Sequence, residues 1–287
     1  MSEKKKISMG ALADKIRKTF KDAEKAKTIS TGAELTTPTE DSDFVIMPEW
    51  WQKMASTKGL PFGYVHMIAG NTDSGKTSAT IEAMRCALEQ GVYVILVDTE
   101  KKTTRARLES WGVNPDDVAR VQPEYLEEAY DGIDHWWNAI KDADPDGKIL
   151  VIFDSLGNTP SIKEVESEVD DTLQLGLAAK INKRGFRRIV PKLLKDKVHI
   201  LVINQTYNNL GSPGKSNAGG NAVDFFSSLT YQTSRKAWIE TTVGGKKKRI
   251  GARVQWTLYK NHLVEDSTGL AKTTVIDITA KGMEFKE

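Results

Sequence analysis

A chain of 287 residues, 39% hydrophobic and 28% charged, is long enough for one sizeable core with a small appendage and too short for two full domains. Its 41 basic and 39 acidic residues leave a net charge of +2, which excludes attraction to nucleic acid or membranes by overall charge and assigns any such attraction to local patches. The single cysteine, Cys86, excludes an internal disulfide, the N-terminal MSEKKKISMG lacks an apolar signal core and no stretch approaches a membrane span, so a soluble cytoplasmic protein with no membrane partner is expected.

Residues 8 to 25 place Leu12, Ile16 and Phe20 at four-residue spacing among charged residues, which predicts one short amphipathic helix whose apolar stripe needs a surface. Residues 27 to 43, KTISTGAELTTPTEDSD, read as a linker. Residues 1–43 are therefore expected as a helix-and-linker segment, and residues 44–287 as the core. In the core, YVHMIAG (64 to 70), YVILVD (93 to 98), ILVIFD (149 to 154) and HILVIN (199 to 204) are continuous apolar runs, as strands buried on both faces require. Helical stretches separate them: Thr77 to Gln90, Leu126 to Lys141 and Leu173 to Leu194. Alternation of this kind predicts an α/β fold with a mostly parallel sheet and helices on both faces. KAWIETTV, a GGKKK turn and RIGARVQWTLYKN predict a C-terminal β-hairpin, and TTVIDIT one more strand.

Between the first strand and its helix stands Gly70-Asn71-Thr72-Asp73-Ser74-Gly75-Lys76-Thr77, followed by Ser78, a match to G-x-x-x-x-G-K-[ST]. In such a loop the backbone N–H groups face phosphates, Lys76 reaches the β and γ oxygens, and the Thr77 hydroxyl binds Mg²⁺. A metal also needs a carboxylate, and Asp154 ends the ILVIFD strand at the edge where ligands gather in open α/β sheets. Alone, such an aspartate would more often cap a turn or a helix; beside a phosphate loop the metal role is preferred. Of the acids in VDTEKK, Asp98 and Glu100, Glu100 is chosen to orient and polarise the attacking water, against a capping role ahead of Lys101 and Lys102.

In order and spacing, G-x-x-x-SGKT, VDTE, ILVIFDS, VINQ and a loose loop ending Gly219-Gly220-Asn221-Ala222 resemble the RecA family of strand-exchange ATPases across roughly residues 44 to 265. Two stretches, VIFDSLGNTPSIKEVE and FRRIVPKLLKDKVHILVINQTY, are similar to its phage UvsX-like branch. The resemblance implies a RecA-like core that uses ATP and Mg²⁺. It implies that Gln205 touches the γ-phosphate and couples it to a DNA-contacting loop containing Lys215, Gly219, Gly220 and Asn221. A second DNA loop falls at 157 to 172, which is acidic; the helix after it carries Lys180, Lys183 and Arg187 where phosphate contacts are expected, with Arg184 and Arg188 on the same side.

The resemblance further places Lys260 and His262 of YKNHL across a subunit interface from the γ-phosphate of a neighbour, with His262 standing where the bacterial family has lysine. Phe225 falls at an interface position, and Asp224 replaces a bacterial lysine. Thr104 and Arg107 occupy the adenine positions, and Arg107 replaces a stacking tyrosine through its guanidinium plane. The implied activity is DNA-dependent ATP hydrolysis driving strand exchange between single-stranded DNA and a homologous duplex. The implied assembly is a filament or ring, with single-strand-binding or loader proteins as partners and the host cytoplasm as the location of a phage-encoded protein. A single-strand annealing protein, a hexameric helicase with the same core, and a non-catalytic nucleotide-binding regulator stay open. The basic stretch Lys246-Lys247-Lys248-Arg249 reads as a solvated hairpin tip.

Overall fold

The computed structural model describes residues 8–22, 25, 37–157, 159–166, 176–208, 215–217, 222–263, 272–280 and 282–285. The chain forms two compact units, Met1–Thr39 and Glu40–Glu287. The first holds helix α1 (Met9–Arg17), N-capped by Ser8, whose hydroxyl accepts from the Ala11 N–H. The helix is shorter than the spacing predicts: Phe20 lies beyond its end, and Leu12, Ile16 and Phe20 are each more than a third exposed while the small Ala13 is buried. Residues 40–43 belong to the second unit, because Lys58 pairs with Asp41 and the Phe62 N–H donates to the Asp43 carbonyl.

The second unit runs β1 (Phe44–Ile46), α2 (Glu49–Ala55), β2 (Gly59–Pro61), β3 (Val65–Gly70), α3 (Lys76–Glu89), β4 (Tyr93–Asp98), α4 (Arg105–Ser110), β5 (Val118–Val121), α5 (Leu126–Ala143) and β6 (Ile149–Asp154). It continues through α6 (Ile162–Glu166), α7 (Leu177–Ile189), β7 (Val198–Asn208), β8 (Lys215–Asn217), α8 (Ala222–Phe226), β9 (Leu229–Val243), β10 (Lys246–Asn261), β11 (Thr273–Thr279) and β12 (Gly282–Phe285). Strands β1 and β2 pair with each other; the large sheet has the order β12-β11-β10-β9-β3-β7-β6-β4-β5, with β8 on β7. From β9 to β5 neighbouring strands are parallel, and from β9 to β12 antiparallel, so the expected α/β architecture with a C-terminal hairpin is present.

Continuous apolar strands are required because each face of the sheet carries its own core. On one face Leu96, Ile152 and Leu201 pack with Trp51 of α2 and Ile81 and Met84 of α3. On the other, Ile95, Val151 and Val202 pack with Tyr130 and Ile133 of α5 and Phe186 of α7. Burying each such side chain contributes roughly 1.5–3 kcal/mol, and the two layers hold the carboxyl edge of β3, β4, β6 and β7 as one rigid rim. Trp51, Tyr231 and Trp256 lock α2 onto the antiparallel half, with ring centroids 5.1–5.8 Å apart.

Within the second unit, three elements differ from expectation. The β7 strand runs on through Gln205 to Asn208 and pairs antiparallel with Lys215–Asn217, so part of the supposedly loose segment 206–221 is a ribbon. Helix α7 starts at Leu177, after Gly176 in the left-handed conformation, and not near Leu173; residues 173–175 lie outside the described residues. The turn of the β9–β10 ribbon is Gly244-Gly245 alone, both with positive φ, and Lys246–Arg249 are strand residues. Such a two-residue turn matches the right-handed twist of the ribbon without help from the lysines. β5 and β12 complete the two edges.

Candidate nucleotide-binding site

The phosphate loop leaves β3 and enters α3, and two of its glycines have no substitute. A Cβ at Gly70 would lie 2.3 Å from Thr233 Oγ1 and 2.5 Å from the Thr233 carbonyl oxygen, because β9 runs directly beside the loop. Gly75 sits at φ +78, and its Cβ would lie 2.2 Å from Ile278 Cδ1. Ser74 fixes the loop from within: its hydroxyl lies 2.7 Å from the Asn71 carbonyl and 2.7 Å from Thr233 Oγ1. Lys76 Nζ curls over the loop, donating to the Gly70 and Asn71 carbonyls at 2.9 and 2.8 Å. Burial pushes its pKa down, while Asp154 and Glu100 oppose that shift.

The loop forms one side of a cavity of about 400 Å³ that also takes in Glu100, Lys102, Arg107, Asp154 and Gln205. Asp154 is buried at the end of β6 and accepts a hydrogen bond from Thr77; burial raises its carboxyl to about 6, against the effect of that bond. A hydroxyl and a buried carboxylate on the phosphate side of the cavity fit a divalent cation, whose charge would hold Asp154 ionised. Glu100 Oε1 accepts from Ser155 Oγ and Gln205 Nε2, each at 2.9 Å, and Glu100 Oε2 pairs with Lys102. Burial pushes the Glu100 carboxyl up, but the bonds from Lys102, Ser155 and Gln205 outweigh it and hold the pKa below its usual value.

The two acids of VDTE thus separate. Asp98 is buried, paired with Arg120 of β5, and accepts from the backbone N–H groups of Lys102 and Thr103. That makes Asp98 a structural anchor for the strand end, while Glu100 faces the cavity.

The remaining predicted residues fall in three places. Thr72, Asp73, Ser74, Gly75, Ser78 and Arg107 line the cavity. Arg107 Nη2 donates to Ser78 Oγ at 3.3 Å, and Thr104, which does not line the cavity, N-caps α4. Lys180, Lys183, Arg184 and Arg187 are exposed on α7, whereas Arg188 turns back to pair with Asp131 and Asp134 of α5. Lys260 Nζ donates to the carbonyls of Asp224 and Ser227 at 2.7 and 2.6 Å, His262 is exposed, and neither lines the cavity. Lys215 lies on β8; Gly219, Gly220 and Asn221 lie outside the described residues.

Sequence reasoning missed Lys102, Ser155, Trp111 and Trp238 as site residues. Ser155 directly follows Asp154 and Lys102 stands two residues after Glu100, so their positions beside the motifs are the signal for both. The two tryptophans carry no local motif and arrive through the fold.

Residues 52–280 match the family described as the RecA N-terminal domain. Over 208 residues the chain is 26% identical to protein RecA of Sulfurovum sp. (strain NBC37-1), which covers 71% of this chain and 56% of that protein. It is 29% identical over 208 residues to protein RecA of Borrelia duttonii (strain Ly), covering 71% and 54%, and 29% identical over 206 residues to that of Malacoplasma penetrans (strain HF-2), covering 71% and 59%. The chain therefore spans little more than half the length of the curated relatives it matches.

Proposed function

The chain belongs to the RecA family, and on that premise we propose that it is a DNA-dependent ATPase that coats single-stranded DNA as a filament and exchanges it with a homologous duplex. The observation that carries this reading is the 2.9 Å hydrogen bond from Gln205 Nε2 to Glu100 Oε1. The carboxylate facing the phosphate side of the cavity is tied to the strand that leads into the loop assigned to DNA. An amide both donates and accepts, so Gln205 has a choice of partner between Glu100 and a γ-phosphate. That choice is a two-state contact able to report nucleotide state to the segment after β7.

In this reading Lys76 gives up its loop carbonyls to hold phosphate oxygens, and the backbone N–H groups from Asp73 to Thr77 complete the cradle. Thr77 and Asp154 hold Mg²⁺, which neutralises developing charge on the transferred phosphoryl group. Glu100, kept ionised by Lys102, Ser155 and Gln205, orients the attacking water and takes its proton. Arg107 lies where the nucleotide base is expected. The exposed cations of α7 meet the DNA backbone, and the similarity of VIFDSLGNTPSIKEVE and FRRIVPKLLKDKVHILVINQTY to UvsX-like proteins supports a phage-type recombinase.

The test is ATP turnover with and without single-stranded DNA, followed by strand exchange with a homologous duplex. DNA-stimulated turnover together with exchange is expected. Pairing of single strands without duplex invasion would make it an annealing protein, a closed ring with directional unwinding would make it a helicase, and nucleotide binding without stimulation by DNA would remove the recombinase reading.

A further inference from the structure

Asp73 is the one acidic residue of the phosphate loop. Its carboxylate stands where the loop must accept a polyanion, in the left-handed conformation at φ 55, and it lines the same cavity as Lys76. An uncompensated negative charge there would oppose every phosphate brought to the loop.

Compensation comes from a distant part of the chain. Arg235, near the base of the β9–β10 ribbon, places Nη1 3.4 Å from Asp73 Oδ2. Its guanidinium also lies 4.0 Å from the ring centroid of Trp238, and that of Arg249 lies 4.6 Å from the same ring. Trp238 itself lines the cavity, as does Ile250. The tryptophan ring attracts both guanidinium groups and limits the positions Arg235 adopts.

We propose that Arg235, held on Trp238, is a positioning residue for the nucleotide: it cancels the charge of Asp73 and so makes nucleotide affinity depend on the placement of the β9–β10 ribbon. The inference rests on the nucleotide-binding reading above and assigns to that site a control element on the antiparallel half of the sheet. The ligand it acts on is a nucleoside polyphosphate, and its effect scales with phosphate charge, so ATP is affected more than ADP.

Two features follow from a charge mechanism and from no merely structural role. Removing Arg235 should weaken ATP binding on the order of five-fold, the scale of an exposed unit charge beside a polyanion, and less as salt rises. Removing Asp73 as well should return affinity to the wild-type level, because the local charge is balanced again.

The experiment is calorimetric titration of ATP and ADP with Mg²⁺ into the full chain and its Arg235→Ala, Asp73→Asn, Arg235→Ala/Asp73→Asn and Trp238→Ala variants, at low and moderate salt. Circular dichroism confirms that each is folded. Expected are weaker ATP binding in Arg235→Ala and Trp238→Ala, a smaller loss for ADP, binding no weaker than wild type in Asp73→Asn, and restoration in the double variant. A double variant that binds ATP as weakly as Arg235→Ala alone would overturn the inference while leaving the nucleotide site intact, as would no loss in Arg235→Ala. Absence of nucleotide binding by the wild type would overturn the nucleotide reading, and this inference with it.

Discussion

Glu100 has its two carboxylate oxygens divided between Lys102 on one side and Ser155 and Gln205 on the other. A general base needs a lone pair in the charged state and a fixed direction, and this arrangement supplies both. Glu100→Gln preserves shape and loses the charge. Turnover should fall about 10²–10⁴-fold, while nucleotide affinity, which rests on the loop backbone and Lys76, should stay within a few-fold of wild type. Single-turnover hydrolysis measured beside nucleotide binding separates the two, and unchanged hydrolysis would remove Glu100 from the chemistry. The residues of the phosphate loop and Asp154 were legible because their chemistry is local: a strand end, a turn and a helix start within a few residues. The choice between Asp98 and Glu100 rests on Arg120, which belongs to a different strand, and no spacing rule shows which acid that arginine occupies. Trp238 and Arg235 were illegible for the same reason, since Arg235 meets Asp73 across 162 residues of chain.

Adjacent strands β3 and β7 carry a second pair of residues whose meaning appears only when the strands are aligned. His66 pairs in register with Leu201, which places His199 close by, and the two imidazole rings meet edge-to-face at 4.6 Å. Both are fully buried; His199 Nδ1 lies 2.7 Å from the Pro61 carbonyl, and among the described residues neither nitrogen of His66 has a hydrogen-bond partner. Burial pushes His66 well below its ordinary value and lowers His199 to about 4, so both are neutral in the fold near pH 7. A base with a depressed folded pKa binds fewer protons when folded than when unfolded. Stability should therefore be complete above about pH 6.5 and decline as pH falls toward 4, by about 3 kcal/mol from His199 with a further loss from His66. Denaturant titrations across that window test this, and His199→Gln should flatten the slope; a slope unchanged in that variant would mean that other groups set it. At this scale the sequence spoke clearly where burial is two-sided, as in β3, β4, β6 and β7. It was weaker at edges: β5 is Val-Ala-Arg-Val, only partly buried, and its period resembles neither template. The lysine run 246–248 reads as a turn by composition, yet an exposed ribbon edge accommodates lysines as readily as a turn does.

The assembled molecule separates its two sets of implied catalytic groups. Lys76, Thr77, Glu100, Asp154 and Gln205 line one cavity at the carboxyl edge of the parallel strands. Lys260 and His262 lie at the opposite end of β10 from the ribbon turn, where Lys260 bonds the carbonyls of Asp224 and Ser227 and the His262 N–H donates to the Ser228 carbonyl. Phe225 of the same region is 80% exposed, an apolar side chain left largely open to solvent. On the proposed function, Lys260 and His262 act on the nucleotide of another copy, through a contact between two different faces of the kind that builds a filament. The consequence is measurable by mixing. Lys76→Ala and Lys260→Ala proteins should each be inactive alone as DNA-stimulated ATPases. In an equal mixture, an intact site forms wherever a subunit with Lys76 meets a neighbour with Lys260, so random assembly should restore about one quarter of wild-type turnover. Restoration should rise with protein concentration and vanish on dilution below the point of assembly. A mixture no more active than its components, or a Lys260→Ala protein as active as wild type, would show that each cavity works with its own chain's residues alone.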